Sequence, residues 1–176
     1  MNMISGYMRR SDISVFYFFH KVLHCRALNL FMRSVTFLGS LGLAFAFPLV
    51  LIAAGGDLLA TGMSIALLLA VSQGIVQTLK RVVHRPRPFR VLEQVIAVAP
   101  PDANYSFPSG HTAAAFALAL GISSHWPAMT APVFILATLV AISRVYLGVH
   151  YPTDCLAGAA IVTLVWILLG VAGLMI

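Results

Sequence analysis

Long apolar stretches separated by short polar joints make up most of this chain. Crossing a bilayer takes about twenty mainly apolar residues. Four stretches meet that length: Val35–Ala54, Ala60–Leu79, Ala128–Leu147 and Cys155–Ile176. A fifth, Ser109–Trp126, is shorter but rich in Ala and Leu. The pattern predicts an all-α fold, a polytopic membrane helix bundle with five transmembrane helices.

The segment Ile13–Phe31, which precedes these stretches, is apolar but interrupted by charge. It is rich in Phe and Leu, yet Lys21, Arg26 and two histidines lie in its middle. Each Lys or Arg at the centre of a span costs about 2.5–3.5 kcal/mol on insertion. We therefore expect an N-terminal helix lying in the membrane interface. The alternative is a sixth span whose charges are neutralised by neighbouring helices.

Composition agrees with a membrane protein. Of 176 residues, 60% are hydrophobic and 9% charged, with a mean hydropathy of +0.95, whereas soluble domains are about a quarter charged. The length favours one domain, residues 1–176. The net charge of +6 then indicates basic residues at membrane edges or in polar sites, and we expect no nucleic-acid partner. Cys25 and Cys155 suggest two ordinary thiols.

The first of three polar clusters closes the second apolar stretch, from Lys80 to Pro88. One interpretation is a positive flank that sets membrane orientation. However, Pro86 and Pro88 stiffen the backbone and hold the arginines in place. The five cations from Lys80 to Arg90 repel one another unless an anion lies among them, and arginine suits phosphate oxygens.

The second cluster opens the third helix, where Ser109 is well placed as its N-cap. Gly110 and His111 then lie in the first turn, where exposed N–H groups and the helix dipole attract anions. A plain capped helix with an interfacial histidine is the alternative.

The third cluster surrounds the last turn of the chain. Arg144 lies within an apolar stretch, where ionisable groups are costly and usually functional. Asp154 can cap the final helix, but it also follows His150 across a proline turn. A carboxylate bonded to one ring nitrogen makes the other a better nucleophile.

With alternating spans, the connections Lys80–Phe107 and Gly148–Thr153 face the same compartment, so the three clusters converge. Together they supply three cations, a helix N-terminus, two histidines and a carboxylate. Phosphoryl transfer through a phosphohistidine requires such a set.

These residues match a known pattern. Lys80-x6-Arg87-Pro88, Pro108-Ser109-Gly110-His111 and Ser143-Arg144-x5-His150-x3-Asp154 together resemble the three-part signature of the type 2 phosphatidic acid phosphatase superfamily. The resemblance implies a role for each signature residue. Phosphate would be bound by Lys80, Arg87 and Arg144, with Ser109 and the Gly110 backbone. His150 would be the nucleophile, Asp154 its partner and His111 the general acid. The resemblance implies no bound metal and no cofactor. Several bacterial members have six spans, one more than the five predicted here.

The resemblance implies an integral membrane phosphatase acting on a lipid phosphate in the bilayer. Undecaprenyl diphosphate is the first choice of substrate, with phosphatidylglycerophosphate or phosphatidate as alternatives. A small anion transporter is the non-enzyme alternative. A metal hydrolase using His84, His111, His150 and Asp154 is disfavoured because the nearby cations would repel a divalent ion. The oligomeric state is left open.

The side of the membrane is a point of conflict. All eleven Lys and Arg residues fall on the side of the three clusters, which predicts a cytoplasmic site. The resemblance instead implies an extracytoplasmic site on the cell membrane, and that is the expectation adopted.

Overall fold

The computed structural model describes residues 3–23, 25–95, 97 and 105–174. Over these residues the chain forms eight α-helices and no β-strand, so the all-α prediction is confirmed. The helices are α1 (Met3–Tyr17), α2 (Arg26–Leu38), α3 (Leu41–Ala54), α4 (Asp57–Val83), α5 (Pro88–Val91), α6 (Gly110–His125), α7 (Thr130–Tyr146) and α8 (Pro152–Val171). A π-helical turn, Phe18–Val22, follows α1, and a 3-10 turn, Pro127–Met129, precedes α7. Residue 24 of the segment Ile13–Phe31, residues 96 and 98–104 of the predicted connection and the last two residues of the predicted final span lie outside the described residues.

The predicted count of five spans is not confirmed. Among the described residues, three helices are long and apolar enough to cross a membrane: α4, α8, and α7 together with its 3-10 turn. The α2–α3 pair is a fourth candidate if its two halves, bent by 46°, form one span. Helix α6 has 16 residues, which is shorter than an ordinary span. The chain is a multi-pass membrane bundle with a short helix inside it.

The predicted span Val35–Ala54 is broken, and this corrects the sequence interpretation. Helix α2 ends before Gly39, and Ser40 caps α3. A Cβ at Gly39 would lie 2.6 Å from Val140 Cγ1 and 2.8 Å from the His111 carbonyl oxygen. The chain at this break therefore packs directly against α6 and α7. A uniformly apolar run has no periodicity from which such a bend could be read.

The segment Ile13–Phe31 is also divided, because it contributes to two helices instead of forming one. Helix α1 continues into the π-helical turn, and α2 begins separately at Arg26. Phe16 and His20 are buried and stack with ring centroids 5.3 Å apart. The His20 Nδ1 atom lies 2.8 Å from the Tyr146 carbonyl oxygen at the end of α7. Part of this segment thus packs against the protein.

Helix α6 lies at the centre of the bundle, in contact with α3, α4, α7 and α8. Its buried face consists mainly of Ala and Gly, and small residues let neighbouring helices approach closely. At its start, the Ser109 amide donates to the Asp154 carbonyl oxygen over 2.9 Å. A Cβ at Gly158 of α8 would lie 2.6 Å from the Ser109 carbonyl oxygen. These contacts place the starts of α6 and α8 side by side.

Candidate active site

One cavity of about 270 Å³ receives side chains from the three sequence clusters. Its lining consists of Ser40, Leu41, Gln77, Lys80, Arg87, Gly110, His111, Arg144 and His150. Six of these are site residues predicted from the sequence. The other two, Ser109 and Asp154, are completely buried and do not line the cavity.

Three cations from different elements surround this cavity. Lys80 comes from the last turn of α4, Arg87 from the proline-bounded segment after it, and Arg144 from the last turn of α7. Each is at most 9% exposed. Arg87 Nη1 donates to the Val149 carbonyl oxygen over 3.0 Å, and Arg144 Nη1 donates to Thr36 Oγ1 over 2.8 Å. Three like charges that line one cavity favour an anion between them.

The start of α6 forms another wall of the cavity. Ser109 is the N-cap, as predicted, and its hydroxyl oxygen accepts from the Thr112 amide and hydroxyl over 3.4 and 3.0 Å. Gln73 Nε2 donates to the Gly110 carbonyl oxygen over 3.0 Å. A Cβ at Gly110 would lie 4.0 Å from Lys80 Nζ, so the helix N-terminus and an ammonium group flank the same space. A direct contact of Ser109 with phosphate stays a prediction.

His150 and Asp154 form a buried pair at this cavity, and His150 is the member that lines it. His150 Nδ1 lies 3.5 Å from Asp154 Oδ2 without a hydrogen bond between them, and Oδ2 accepts from the Tyr151 amide over 2.9 Å. The pair is 1% and 0% exposed. The ring edge facing the carboxylate is the Nδ1 edge, which leaves Nε2 as the nitrogen for a reacting group. His111 is within electrostatic range of His150 and of all three cations.

Burial lowers the pKa of His150 well below its ordinary 6.5, and the positive charges of Arg144, Arg87 and Lys80 lower it further. The imidazole is therefore neutral at pH 7, which is the form with a lone pair available for attack.

Sequence reasoning missed two residues near this pair. Arg85 was counted with the cations that require an anion, but its guanidinium is bonded to Asp154 and to Asp12. The run of basic residues indicated that Arg85 belongs to a polar site, but not that it pairs with carboxylates. Nothing in the sequence pointed to Asp12, which comes from α1.

The alternative metal site is not assembled in the described part of the chain. His84 is exposed and its ring packs edge-on against Tyr105, with centroids 4.5 Å apart, so it does not line the cavity with His111 and His150. Across the described residues, no group of three or more His, Cys, Asp or Glu is placed to hold a metal ion.

Known proteins resemble this chain in sequence and fold. Phosphatidylglycerophosphatase B of Bacillus subtilis is 32% identical over 157 residues, 80% of this chain and 73% of that protein. An undecaprenyl-diphosphatase of Sulfolobus acidocaldarius is 36% identical over 85 residues, 45% of this chain but only 39% of that protein. The crystal structure of Aquifex aeolicus LpxE superposes with a TM-score of 0.79 at 28% identity, covering 89% of this chain and 92% of LpxE. The PAP2 superfamily model matches residues 61–173, a range that contains every signature residue, and the chain therefore belongs to the PAP2 superfamily.

Proposed function

We propose that this chain is a single-domain integral membrane phosphatase. It removes the terminal phosphate of a lipid phosphate or diphosphate through a phosphohistidine at His150, without a metal ion. The observation that carries the proposal is the convergence of three buried cations, two histidines and a helix N-terminus on one cavity. Membership of the PAP2 superfamily supports it.

In this proposal Lys80, Arg87 and Arg144 bind the non-bridging phosphate oxygens. The first N–H groups of α6 at Gly110 add hydrogen bonds and the positive end of the helix dipole, and Ser109 supports that turn. Since charge on these oxygens develops during transfer, fixed cations stabilise the transition state more than the bound substrate.

The reaction then takes two steps. His150 Nε2 attacks phosphorus and forms a P–N bond, the P–O bond to the lipid breaks, and His111 donates a proton to the departing oxygen. Burial and the positive charges around it lower the pKa of His111 to about 3, and the negative charge of a bound phosphate raises it again, so that His111 can carry this proton. In the second step water attacks phosphorus while His111 accepts its proton. The P–N bond breaks and inorganic phosphate leaves. Asp154 holds the proton of His150 on Nδ1 throughout, which keeps Nε2 nucleophilic.

An apolar groove beside the cavity supports a lipid substrate. Leu41 lines the cavity, and Leu38 and Leu43, on either side of the same helix break, line a neighbouring groove of about 310 Å³ between α3, α6 and α7. A lipid could place its headgroup in the cavity and its hydrocarbon chain in this groove. A water-soluble phosphate ester would not need such a groove.

Undecaprenyl diphosphate, converted to undecaprenyl phosphate, is the proposed substrate. One relative is named an undecaprenyl-diphosphatase, but the chain matches only 39% of its length. Phosphatidylglycerophosphate is the second candidate because the relative with the longer match is named for it, and phosphatidate is the third. The site is proposed to face the extracytoplasmic side, on the family resemblance and against the count of basic residues.

Phosphate release by the purified protein in detergent, with a panel of these lipids and a short-chain phosphate ester, tests the proposal. We expect release from a long-chain substrate, undiminished by a chelator, and a loss of about 10⁴-fold or more in His150→Ala. The matched control is His84→Ala, an exposed histidine outside the cavity, which should stay within about twofold of wild type. A transporter would release no phosphate, and an active His150→Ala variant would refute the nucleophile.

A further inference from the structure

Four side chains, including the buried Asp154 beside His150, form a hydrogen-bonded network, and none of them lines the cavity. Arg85 Nη1 donates to Asp154 Oδ1 over 2.7 Å and to Thr153 Oγ1 over 2.8 Å, while Nη2 donates to Asp12 Oδ2 over 2.6 Å. Asp12 also accepts from the Thr153 amide over 3.0 Å and from its hydroxyl over 2.6 Å. The guanidinium lies 4.0 Å from the centroid of the Tyr151 ring. We call Asp12, Arg85, Thr153 and Asp154 the Arg85 network.

The network places one cation, Arg85, between two carboxylates, those of Asp12 and Asp154. Both carboxylates are buried, and a buried carboxylate is costly unless it is paired and hydrogen-bonded. Burial alone would lower the pKa of Arg85, but the carboxylates of Asp154 and Asp12 outweigh burial and raise it. Arg85 is thus a permanent cation engaged with carboxylates, and it does not line the phosphate cavity.

We propose that Arg85 and Asp12 are positioning residues which hold the Asp154 carboxylate against His150, so that helix α1 is part of the active site. The proposal rests on the proposed function. Arg85 binds Oδ1 of Asp154 and the Tyr151 amide binds Oδ2, which fixes the rotation of the carboxylate. Oδ2 then lies 3.5 Å from His150 Nδ1, and second partners of this kind set the orientation of a catalytic imidazole.

Asp12 extends this arrangement to a part of the chain outside the family match, which begins at residue 61. By binding both the Thr153 backbone and the Arg85 guanidinium, it joins α1 to the first turn of α8, which carries Asp154. Loss of Asp12 would leave Arg85 with one carboxylate partner in the network and the first turn of α8 without its bond to α1.

Kinetics of Arg85→Gln, Arg85→Lys and Asp12→Asn in the full chain test the proposal, with Arg81→Gln, an exposed neighbour, as the matched control. We expect kcat per folded molecule to fall by about 10–100-fold in Arg85→Gln and about 5–10-fold in Asp12→Asn. KM should change less than about threefold because neither residue lines the cavity. Arg85→Lys should recover part of kcat, since it restores the charge without the planar fork.

Hydrogen exchange at the backbone amides of residues 150, 151 and 153–156 provides a readout independent of activity. It should be faster in Arg85→Gln and Asp12→Asn than in wild type, and unchanged in Arg81→Gln. If wild type releases no phosphate from any lipid, the proposed function is wrong. The exchange data then still show whether the Arg85 network holds the first turn of α8 in place. The positioning role is overturned if kcat in Arg85→Gln matches Arg81→Gln, or, for an inactive wild type, if the exchange rates of these two variants are equal.

Discussion

Helices α4 and α8 share one feature in their first turns but lie in different surroundings. Each has an aspartate in its first turn, Asp57 in α4 and Asp154 in α8, where the helix dipole favours a negative charge. Asp57 is exposed at the end of the bundle that has no Lys or Arg in its turns. Asp154 is fully buried and bonded to Arg85. The two aspartates share the same favourable interaction with a helix dipole. Only Asp154 is part of a site, because distant segments of the chain place other groups around it.

The histidines at the two ends differ in the same respect. His125 closes α6 at the far end, where its Nδ1 lies 3.0 Å from the Gly121 carbonyl oxygen of its own helix. His150 lies 3.5 Å from Asp154 and lines one cavity with three cations that come from α4, α7 and the segment after α4. His125 thus contacts only its own helix in this bond, near the helix end. His150 is surrounded by groups from several helices, and these can make it reactive.

Replacing each aspartate by asparagine gives the largest expected contrast. Asp154→Asn should lower kcat by about 10²–10⁴-fold, because a neutral amide no longer favours the Nδ1 proton of His150. Asp57→Asn should leave kcat unchanged and cost about 0.3–1 kcal/mol of stability through the helix dipole. Phosphate-release kinetics and thermal unfolding measure the two effects. Equal loss of kcat in the two variants would show that Asp154 acts only as a helix cap.

The extent to which the site was predictable follows from the same contrast. Signature residues lie at helix ends, and alternate joints of a membrane bundle share a side, so the convergence of Lys80, His111 and His150 could be anticipated. The N-cap role of Ser109 was also readable, because capping depends on a few adjacent residues. The pairing of Asp12 with Arg85 was not, since it depends on how α1 packs against the rest of the fold, which no local pattern encodes.

The two helix breaks flanking α3 provide a second contrast. Gly39 packs closely against Val140 and the His111 carbonyl group. Gly55, in contrast, has open space around it and a φ of +69°. Gly39→Ala must displace the first turn of α6 or the Val140 side chain of α7, so kcat/KM should fall by about tenfold or more. Gly55→Ala should cost about 1–3 kcal/mol in backbone strain with kcat unchanged.

Kinetics and unfolding measured on both glycine variants separate a loss of activity from a loss of stability. If Gly39→Ala loses stability but keeps its kcat/KM, the contact of the break with α6 does not set the geometry of the cavity. If Gly55→Ala loses kcat/KM per folded molecule, the two ends of the bundle are coupled, and the contrast between them is weaker than the contacts indicate.

The protonation of His150 gives the smallest and most specific expected change. Because its pKa is lowered by burial and by Arg144, Arg87 and Lys80, the imidazole should remain neutral at pH 6.5, where an ordinary histidine is half protonated. An NMR titration of histidine-labelled protein, with His150→Ala to identify the resonance, measures this directly. Lys80→Gln removes one of the three charges, so the pKa of His150 should rise towards 6.5. A titration of His150 near 6.5 in wild type would mean that the cavity is hydrated enough to screen its cations, and the reactivity of His150 would then depend on Asp154 instead of on the charges gathered around it.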